Sequence, residues 1–243
     1  DARSLTADRA ATGRFFWYTV CRMKDNLSLI FSILVTVAGG LGLFLLGMKH
    51  LSEGLQATAG GGLRKFMTHA TSHRLVGVGT GIFSTMLVQS SSIITVMLVG
   101  FVSTALMTLP QAINVLIGAN IGTTATVWII AYAPNPQALG FVGIALGGAL
   151  YFFLRGERVH NLGLTVIGLG LVFLGLYFMS KGVAPIKQNP DFAHIFTTMS
   201  AQHIGGVVKI AVAATLLTAV IQSSAATIAI AMALAQQGLI TYD

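Results

Sequence analysis

Residues 81–102 read GIFSTMLVQSSSIITVMLVGFV, an apolar stretch with four polar side chains at its centre, Gln89, Ser90, Ser91 and Ser92. About 14 apolar residues precede Gln89 and about 12 follow Ser92, so each arm would be about 20 Å long as a helix. That length reaches the midplane of a bilayer and returns. We therefore predict a re-entrant helical hairpin with QSSS at its tip. Opened backbone at that depth needs surrounding protein or a water-filled cavity.

The composition is that of an integral membrane protein. The 243 residues are 54% hydrophobic and only 9% charged, whereas a soluble domain carries about 25% charge. The formal net charge of +7 comes from Lys and Arg that lie mainly between the apolar runs, as in juxtamembrane loops. No basic stripe with interleaved aromatics is present, so we expect no nucleic-acid partner. A single cysteine, Cys21, and histidines in connecting segments provide no metal-ligand spacing.

Two further apolar runs are also interrupted. GANIGTT at 118–124 interrupts 109–132, and QSSA at 222–225 interrupts 204–235. We predict a discontinuous transmembrane helix for the first and a second re-entrant hairpin for the other. The uninterrupted runs, each near the length that spans a bilayer, are 27–48, 137–154 and 162–180.

The chain carries an internal duplication. GLGLFLLGMKHLSEGL (40–55) aligns without gaps to GLGLVFLGLYFMSKGV (168–183), with 8 identities in 16 positions. Two more blocks pair in the same order, VQSSS (88–92) with IQSSA (221–225) and ALMT (105–108) with GLIT (238–241). The later blocks are 133 residues apart, so the counterpart of Asn120 would fall at position 253, beyond Asp243. We therefore expect the natural protein to continue.

The duplication divides the chain into four parts. We expect the residues before Met23 to be non-native or a cytosolic arm. The predicted parts are an N-terminal extension (1–26), a first repeat (27–136), a linking helix and loop (137–161) and an incomplete second repeat (162–243).

The number of membrane crossings decides how the repeats are related. If 27–48, 109–132 and 137–154 each cross once and the hairpin does not cross, three crossings separate the repeat starts. An odd number inverts the second repeat, so the two tips would enter from opposite faces and meet near the midplane. Inverted repeats with broken helices at the midplane are typical of secondary transporters. If each interrupted segment crossed as a full helix, the repeats would be parallel.

The residues at the tips restrict the chemistry. No Asp, Glu, Lys or Arg lies at the centre of a span, which disfavours a proton relay and a polyvalent cation site. Neutral oxygens suit a monovalent hard cation such as Na⁺, and the free N–H groups of a helix that restarts after QSSS suit an oxyanion. An intramembrane serine hydrolase is disfavoured, since no His or carboxylate lies at the depth of the serines to act as base.

These residues resemble the type II sodium–phosphate cotransporter family, in its bacterial branch. The resemblance covers about 27–241 and rests on GLGLFLLGMKHLSEGL, GLRKFM, VQSSSIITVMLVGFV, LPQAINVLIGANIGTTATVW and IQSSAAT. It implies Na⁺-driven symport of inorganic phosphate across the bacterial cytoplasmic membrane, with no enzymatic activity and no organic cofactor. Ala225 stands where the first tip has Ser92, so the two tips are not equivalent.

The resemblance also implies the site residues. The phosphate ligands it implies are Gln89, Ser90, Ser91, Ser92, Gln222, Ser223, Ser224 and Asn120. The sodium ligands it implies are Gln89, Ser91, Asn120, Thr123, Thr124, Gln222 and Ser224, with Thr95 and Thr227 as further candidates. Two other readings stay open, a passive anion channel and a membrane subunit that senses phosphate without transporting it. Orientation, stoichiometry and oligomeric state also stay open, a homodimer among the options.

Overall fold

The computed structural model describes the backbone of residues 2–59, 73–188 and 204–238, and the side chains of 28–58, 73–125, 127–186 and 205–238. Within these ranges the protein is helical, without strands. The parts of the second repeat at 189–203 and 239–243 lie outside the described residues. The helices are α1 (Ala2–Ala59), α2 (Arg74–Val88), α3 (Ser91–Ser103), α4 (Leu109–Ala131), α5 (Pro136–Phe153), α6 (Glu157–Gln188), α7 (Ile204–Ile221) and α8 (Ser224–Gln236).

Four helical segments are long and apolar enough to cross a membrane. These are Ser28–Thr58 of α1, Glu157–Ile186 of α6, and the whole of α4 and α5. The helices on either side of the QSSS and QSSA motifs are apolar but shorter, at 13 to 18 residues each. The chain is therefore an integral membrane protein by helix length and composition.

The helices α1 and α6 pack through a ladder of glycines. A Cβ built on Gly47 would lie 2.7 Å from the carbonyl oxygen of Gly168, and one on Gly40 would lie 2.9 Å from that of Gly175. The two backbones are thus in direct contact, as small residues permit in membrane helices. Residue numbers rise along α1 as they fall along α6, so the two helices are antiparallel.

The same notch packing joins α6 to α5. A Cβ built on Gly147 would lie 2.9 Å from the carbonyl oxygen of Gly163, and one on Gly143 would lie 3.0 Å from the Cα of Gly170. These helices are also antiparallel, as their three-residue connection requires. The result is a layer of three helices, α1, α6 and α5.

A second group is formed by α2, α3 and α4. Gly77 faces Asn114 and Gly122 faces Thr85, so residue numbers rise together along α2 and α4 and these two helices run in the same direction. The residues 104–108 join α3 to α4. A core cluster that includes Val88, Ile94, Leu98 and Val115 fills the space among the three helices.

The discontinuity predicted in 109–132 is wrong, because α4 is an unbroken helix from Leu109 to Ala131. Gly118 and Gly122 lie directly against the backbone of α2 at Val78 and Ile82. Close packing against α2 offsets the low helix propensity of glycine. The glycines of GANIGTT are therefore packing notches in this helix.

Candidate functional site

The helix breaks at the two Gln-Ser-Ser motifs share one backbone conformation. Gln89 has φ 55° and Gln222 has φ 57°, both in the left-handed region, and each donates its N–H over 2.7 Å, to the carbonyl of Thr85 and of Thr218 respectively. A non-glycine residue there is uncommon, and two at equivalent repeat positions indicate a retained turn. The helices thus end and restart within both motifs, between Val88 and Ser91 and between Ile221 and Ser224, and the re-entrant hairpins expected there stay a prediction.

The glutamine side chains fold back onto the helices that they end. Gln89 Nε2 donates to the Met86 carbonyl at 2.6 Å, and Gln222 Nε2 donates to the Ala219 carbonyl at 2.6 Å. The amide nitrogen therefore caps a helix C-terminus in both copies. The amide oxygen is the atom suited to bind a cation or accept from a protonated ligand.

The serine after each glutamine caps the next helix. Ser90 Oγ accepts from the Ile93 N–H at 3.4 Å, and Ser223 Oγ accepts from the Ala226 N–H at 3.3 Å. Both serines have extended backbone, as an N-cap residue should. At each motif a helix of 13 residues begins with its positive dipole end at the tip, an arrangement that favours an anion.

Three of the predicted threonine ligands have hydroxyls that donate to their own helices. Thr95 donates to the Ser91 carbonyl at 2.8 Å, Thr123 to that of Ala119 at 3.1 Å and Thr124 to that of Ile121 at 2.8 Å. Their oxygen lone pairs are still available to a cation. Asn120 is exposed on α4, whereas its neighbour Ala119 is buried.

The tips line two separate cavities. Gln89 opens on a cavity of about 540 Å³, with Ile130 and Val172 in its wall. Gln222 and Ser224 line another of about 590 Å³. The residues that line both cavities are neutral. Ile130 and Val172 also belong to the core cluster of Ala226, against which Ile221 packs. A shared site of both tips stays a prediction.

Sequence reasoning missed several polar contacts near the tips. Ser52 Oγ donates to the Val88 carbonyl at 2.6 Å, and Gln56 Nε2 donates to Ser52 Oγ at 2.7 Å. In the second copy, Gln237 Nε2 donates to Ser180 Oγ at 2.9 Å. The gapless alignment pairs Ser52 with Ser180, and that pairing could have drawn attention to both.

The apolar helices and the two matched helix breaks place this chain among α-helical integral membrane proteins that contain discontinuous helices. The family model for the Na⁺/Pi-cotransporter matches residues 43–181. The chain belongs to this family, and the resemblance drawn from its motifs is confirmed.

The most similar relatives include two bacterial proteins. The chain is 30% identical over 214 residues to an uncharacterized protein, YqeW, of Bacillus subtilis (strain 168), covering 86% of this chain and 66% of the relative. It is 26% identical over 213 residues to the "Putative inorganic phosphate export protein YjbB" of Escherichia coli (strain K12), covering 86% and 37%.

A human relative matches over a shorter region. The human sodium-dependent phosphate transport protein 2B is 37% identical over 100 residues, which is 40% of this chain and 14% of the relative. The chain thus spans about two thirds or less of the length of these relatives. No solved structure matches the chain.

Proposed function

We propose that the chain is the membrane core of a secondary transporter that moves inorganic phosphate together with Na⁺ across the bacterial cytoplasmic membrane. The observation that carries this proposal is the matched pair of helix breaks. At each break one helix ends at a glutamine with a left-handed backbone conformation, and the next helix begins after a serine that caps its N-terminus. Many secondary transporters build their substrate sites from such paired opened backbone.

The anion half of the site consists of the helix N-termini. The first turns of α3 and α8 have N–H groups without intrahelical partners, and their serines 91, 92 and 224 add hydroxyl donors. Phosphate would accept from these groups without a basic side chain. The cavity at the second tip has Gln222 and Ser224 in its wall, whereas most of the side chains that line the cavity at Gln89 are apolar.

The cation half consists of neutral oxygens. The amide oxygens of Gln89 and Gln222 and the hydroxyls of Thr95 and Thr227 suit Na⁺, which needs no carboxylate. Placing Na⁺ beside phosphate lowers the free-energy cost of burying either charge. That pairing is the physical basis of the coupling.

The helix directions support a re-entrant first hairpin. Because α2 and α4 are parallel and begin side by side, the chain must return along α2 between Val88 and Leu109. The helix α3, with 13 residues and about 20 Å in length, spans that return. The arms α2 and α3 would then enter and leave on the same face.

The glycine ladder supports inverted repeats. The aligned segments 40–55 and 168–183 lie on α1 and α6, which are antiparallel. In the alignment Gly40 corresponds to Gly168 and Gly47 to Gly175, and each contacts the counterpart of the other, as across a two-fold axis. Inverted repeats suit alternating access by exchange of the two conformations.

Export is the second candidate for the direction of net flux. The Escherichia coli relative that aligns with 86% of this chain is named "Putative inorganic phosphate export protein YjbB", whereas the human relative is named as a sodium-dependent phosphate transport protein. In a coupled transporter the ion and phosphate gradients set the direction. Export and import are therefore outcomes of one mechanism.

The test is labelled phosphate flux in proteoliposomes that contain the full chain. An inward Na⁺ gradient should drive phosphate uptake above its equilibrium level, and an outward gradient should drive efflux. Uptake that persists when choline replaces Na⁺ would remove the coupling. Phosphate that only equilibrates in Na⁺ would instead indicate a passive channel. Binding of phosphate without any flux would indicate a sensing subunit. The Ser103→Ala variant is a matched control, because Ser103 donates only to its own helix at the Val99 carbonyl.

A further inference from the structure

Two fully buried hydroxyls on α2 are unpaired. Ser84 is 0% exposed and Thr85 is 1% exposed, and neither hydroxyl has a hydrogen-bond partner. Serine and threonine in an apolar helix usually donate to the carbonyl four residues earlier. Other hydroxyls of this protein do so, namely those of Thr58, Thr80, Thr95, Ser103, Thr123, Thr165, Thr215 and Thr218. Ser84 and Thr85 therefore hold costly unsatisfied groups in the interior.

These hydroxyls lie one turn before the first tip. The Thr85 carbonyl accepts the N–H of Gln89 at 2.7 Å, so Thr85 is joined directly to the left-handed residue. Its Cβ lies 2.9 Å from the position that a Cβ on Gly122 would take. The glycine of α4 thus lies directly beside the threonine.

In the second repeat the equivalent threonine hydroxyl is hydrogen-bonded. Thr218 corresponds to Thr85 at the 133-residue offset, and its carbonyl likewise accepts the N–H of Gln222 at 2.7 Å. The hydroxyls of Thr218 and Thr227 are 2.9 Å apart and form a hydrogen bond. The counterpart of Thr227 is Ile94, which is fully buried. Thr85 therefore lacks the partner that its counterpart has.

We infer that the Ser84 and Thr85 hydroxyls are ligands of a Na⁺ site between α2 and α4, one turn beneath the first tip. The C-terminal turn of α2 presents the negative end of the helix dipole, which favours a cation and disfavours phosphate. Gly122 brings the α4 backbone close to Thr85, since a Cβ at that position would lie 2.9 Å from the Cβ of Thr85. The inference rests on the proposed function for its sodium, and it adds ligands that the tip residues do not include.

The binding test uses the purified full chain in detergent. Its unfolding temperature is measured against NaCl, with choline chloride and KCl keeping the ionic strength constant. The wild type should be stabilised by Na⁺ specifically. Thr85→Val, which keeps the side-chain size, and Ser84→Ala should each raise the half-maximal Na⁺ concentration at least tenfold. Ser103→Ala should leave that concentration unchanged.

Three outcomes distinguish this inference from the proposed function. In the first outcome, the variants have the same half-maximal Na⁺ concentration as the wild type, and their unfolding temperatures exceed that of the wild type by the same amount in NaCl, KCl and choline chloride. The hydroxyls are then only unsatisfied structural groups, and the inference is overturned. An absence of Na⁺-specific stabilisation in the wild type also overturns it. If Na⁺ stabilises the wild type and the variants weaken that effect, but proteoliposomes show no Na⁺-dependent flux, then the site stands and the proposed function fails.

Discussion

Ser52 of α1 donates a hydrogen bond of 2.6 Å to the carbonyl of Val88, the last residue of α2. Gln56, one turn later, donates to Ser52 at 2.7 Å and lies 3.4 Å from the same carbonyl. The long glycine-bearing helix is thereby tied to the turn at Gln89. A carbonyl at a helix end would otherwise be unsatisfied in an apolar interior.

We predict that Ser52→Ala lowers the free energy of unfolding by about 1 kcal/mol, the usual value of one hydrogen bond. It should also lower maximal phosphate flux, because the turn at Gln89 loses its support from α1. Denaturant unfolding and proteoliposome flux measure the two effects. Thr58→Ala is the matched control, since Thr58 donates only to the Gly54 carbonyl of its own helix. Equal flux in both variants would contradict a positioning role.

At Gln89 the backbone and side-chain contributions can be separated. Gln89→Gly should fold as well as the wild type, because glycine adopts positive φ without steric cost. Gln89→Ala should be less stable by about 1 kcal/mol, since alanine keeps the left-handed penalty that glutamine already pays and loses the hydrogen bond from Nε2 to the Met86 carbonyl. Both variants should lose Na⁺-dependent flux, because both lack the amide. Full flux in the glycine variant would show that the amide oxygen binds neither ion.

The capping role of Ser90 can be tested against a ligand role. Ser90→Gly should cost only a few tenths of a kcal/mol in stability, whereas Ser90→Ala should cost about 1 kcal/mol. If the hydroxyl also binds phosphate, both variants should weaken the apparent phosphate affinity to a similar extent. Normal affinity in the glycine variant would limit Ser90 to capping. The same pair at Ser223 tests the second tip.

The glycine ladder predicts a sharp contrast within one helix. Gly47→Ala would place a Cβ 2.6 Å from the Val172 backbone nitrogen, so α1 and α6 must separate. Core overpacking of this kind costs about 1–3 kcal/mol. Gly42→Ala meets nothing within 4 Å and should stabilise the helix by up to about 1 kcal/mol. Equal unfolding temperatures for the two variants would contradict the described contact.

The helix breaks were predictable because polar residues interrupt apolar runs at two equivalent positions. The unbroken α4 was not, because glycine serves both as a hinge and as a packing notch. Which role Gly118 and Gly122 take depends on the neighbouring helix, and here α2 packs against both. The sequence alone does not show which helix packs against these glycines.

The tip residues could be predicted because each motif is a run of consecutive polar residues within an apolar segment. Ser84 and Thr85 lie in an apolar helix, where a hydroxyl usually bonds to the helix's own backbone, and Ser52 lies among other polar residues of α1. Their importance comes from burial and from missing or long-range partners. The repeat alignment gave the usable signal, since it pairs Thr85 with Thr218 and Ser52 with Ser180.

The ladder between α1 and α6 has a consequence for the origin of the chain. Gly47 contacts Gly168, the counterpart of Gly40, and Gly40 contacts Gly175, the counterpart of Gly47. The two repeats therefore use the same surface in this contact. A half-length chain with that surface could pair with a second copy of itself in the opposite orientation. Fusion of two such genes would preserve the contact and free each half to diverge, as Ala225 and Ile94 already show.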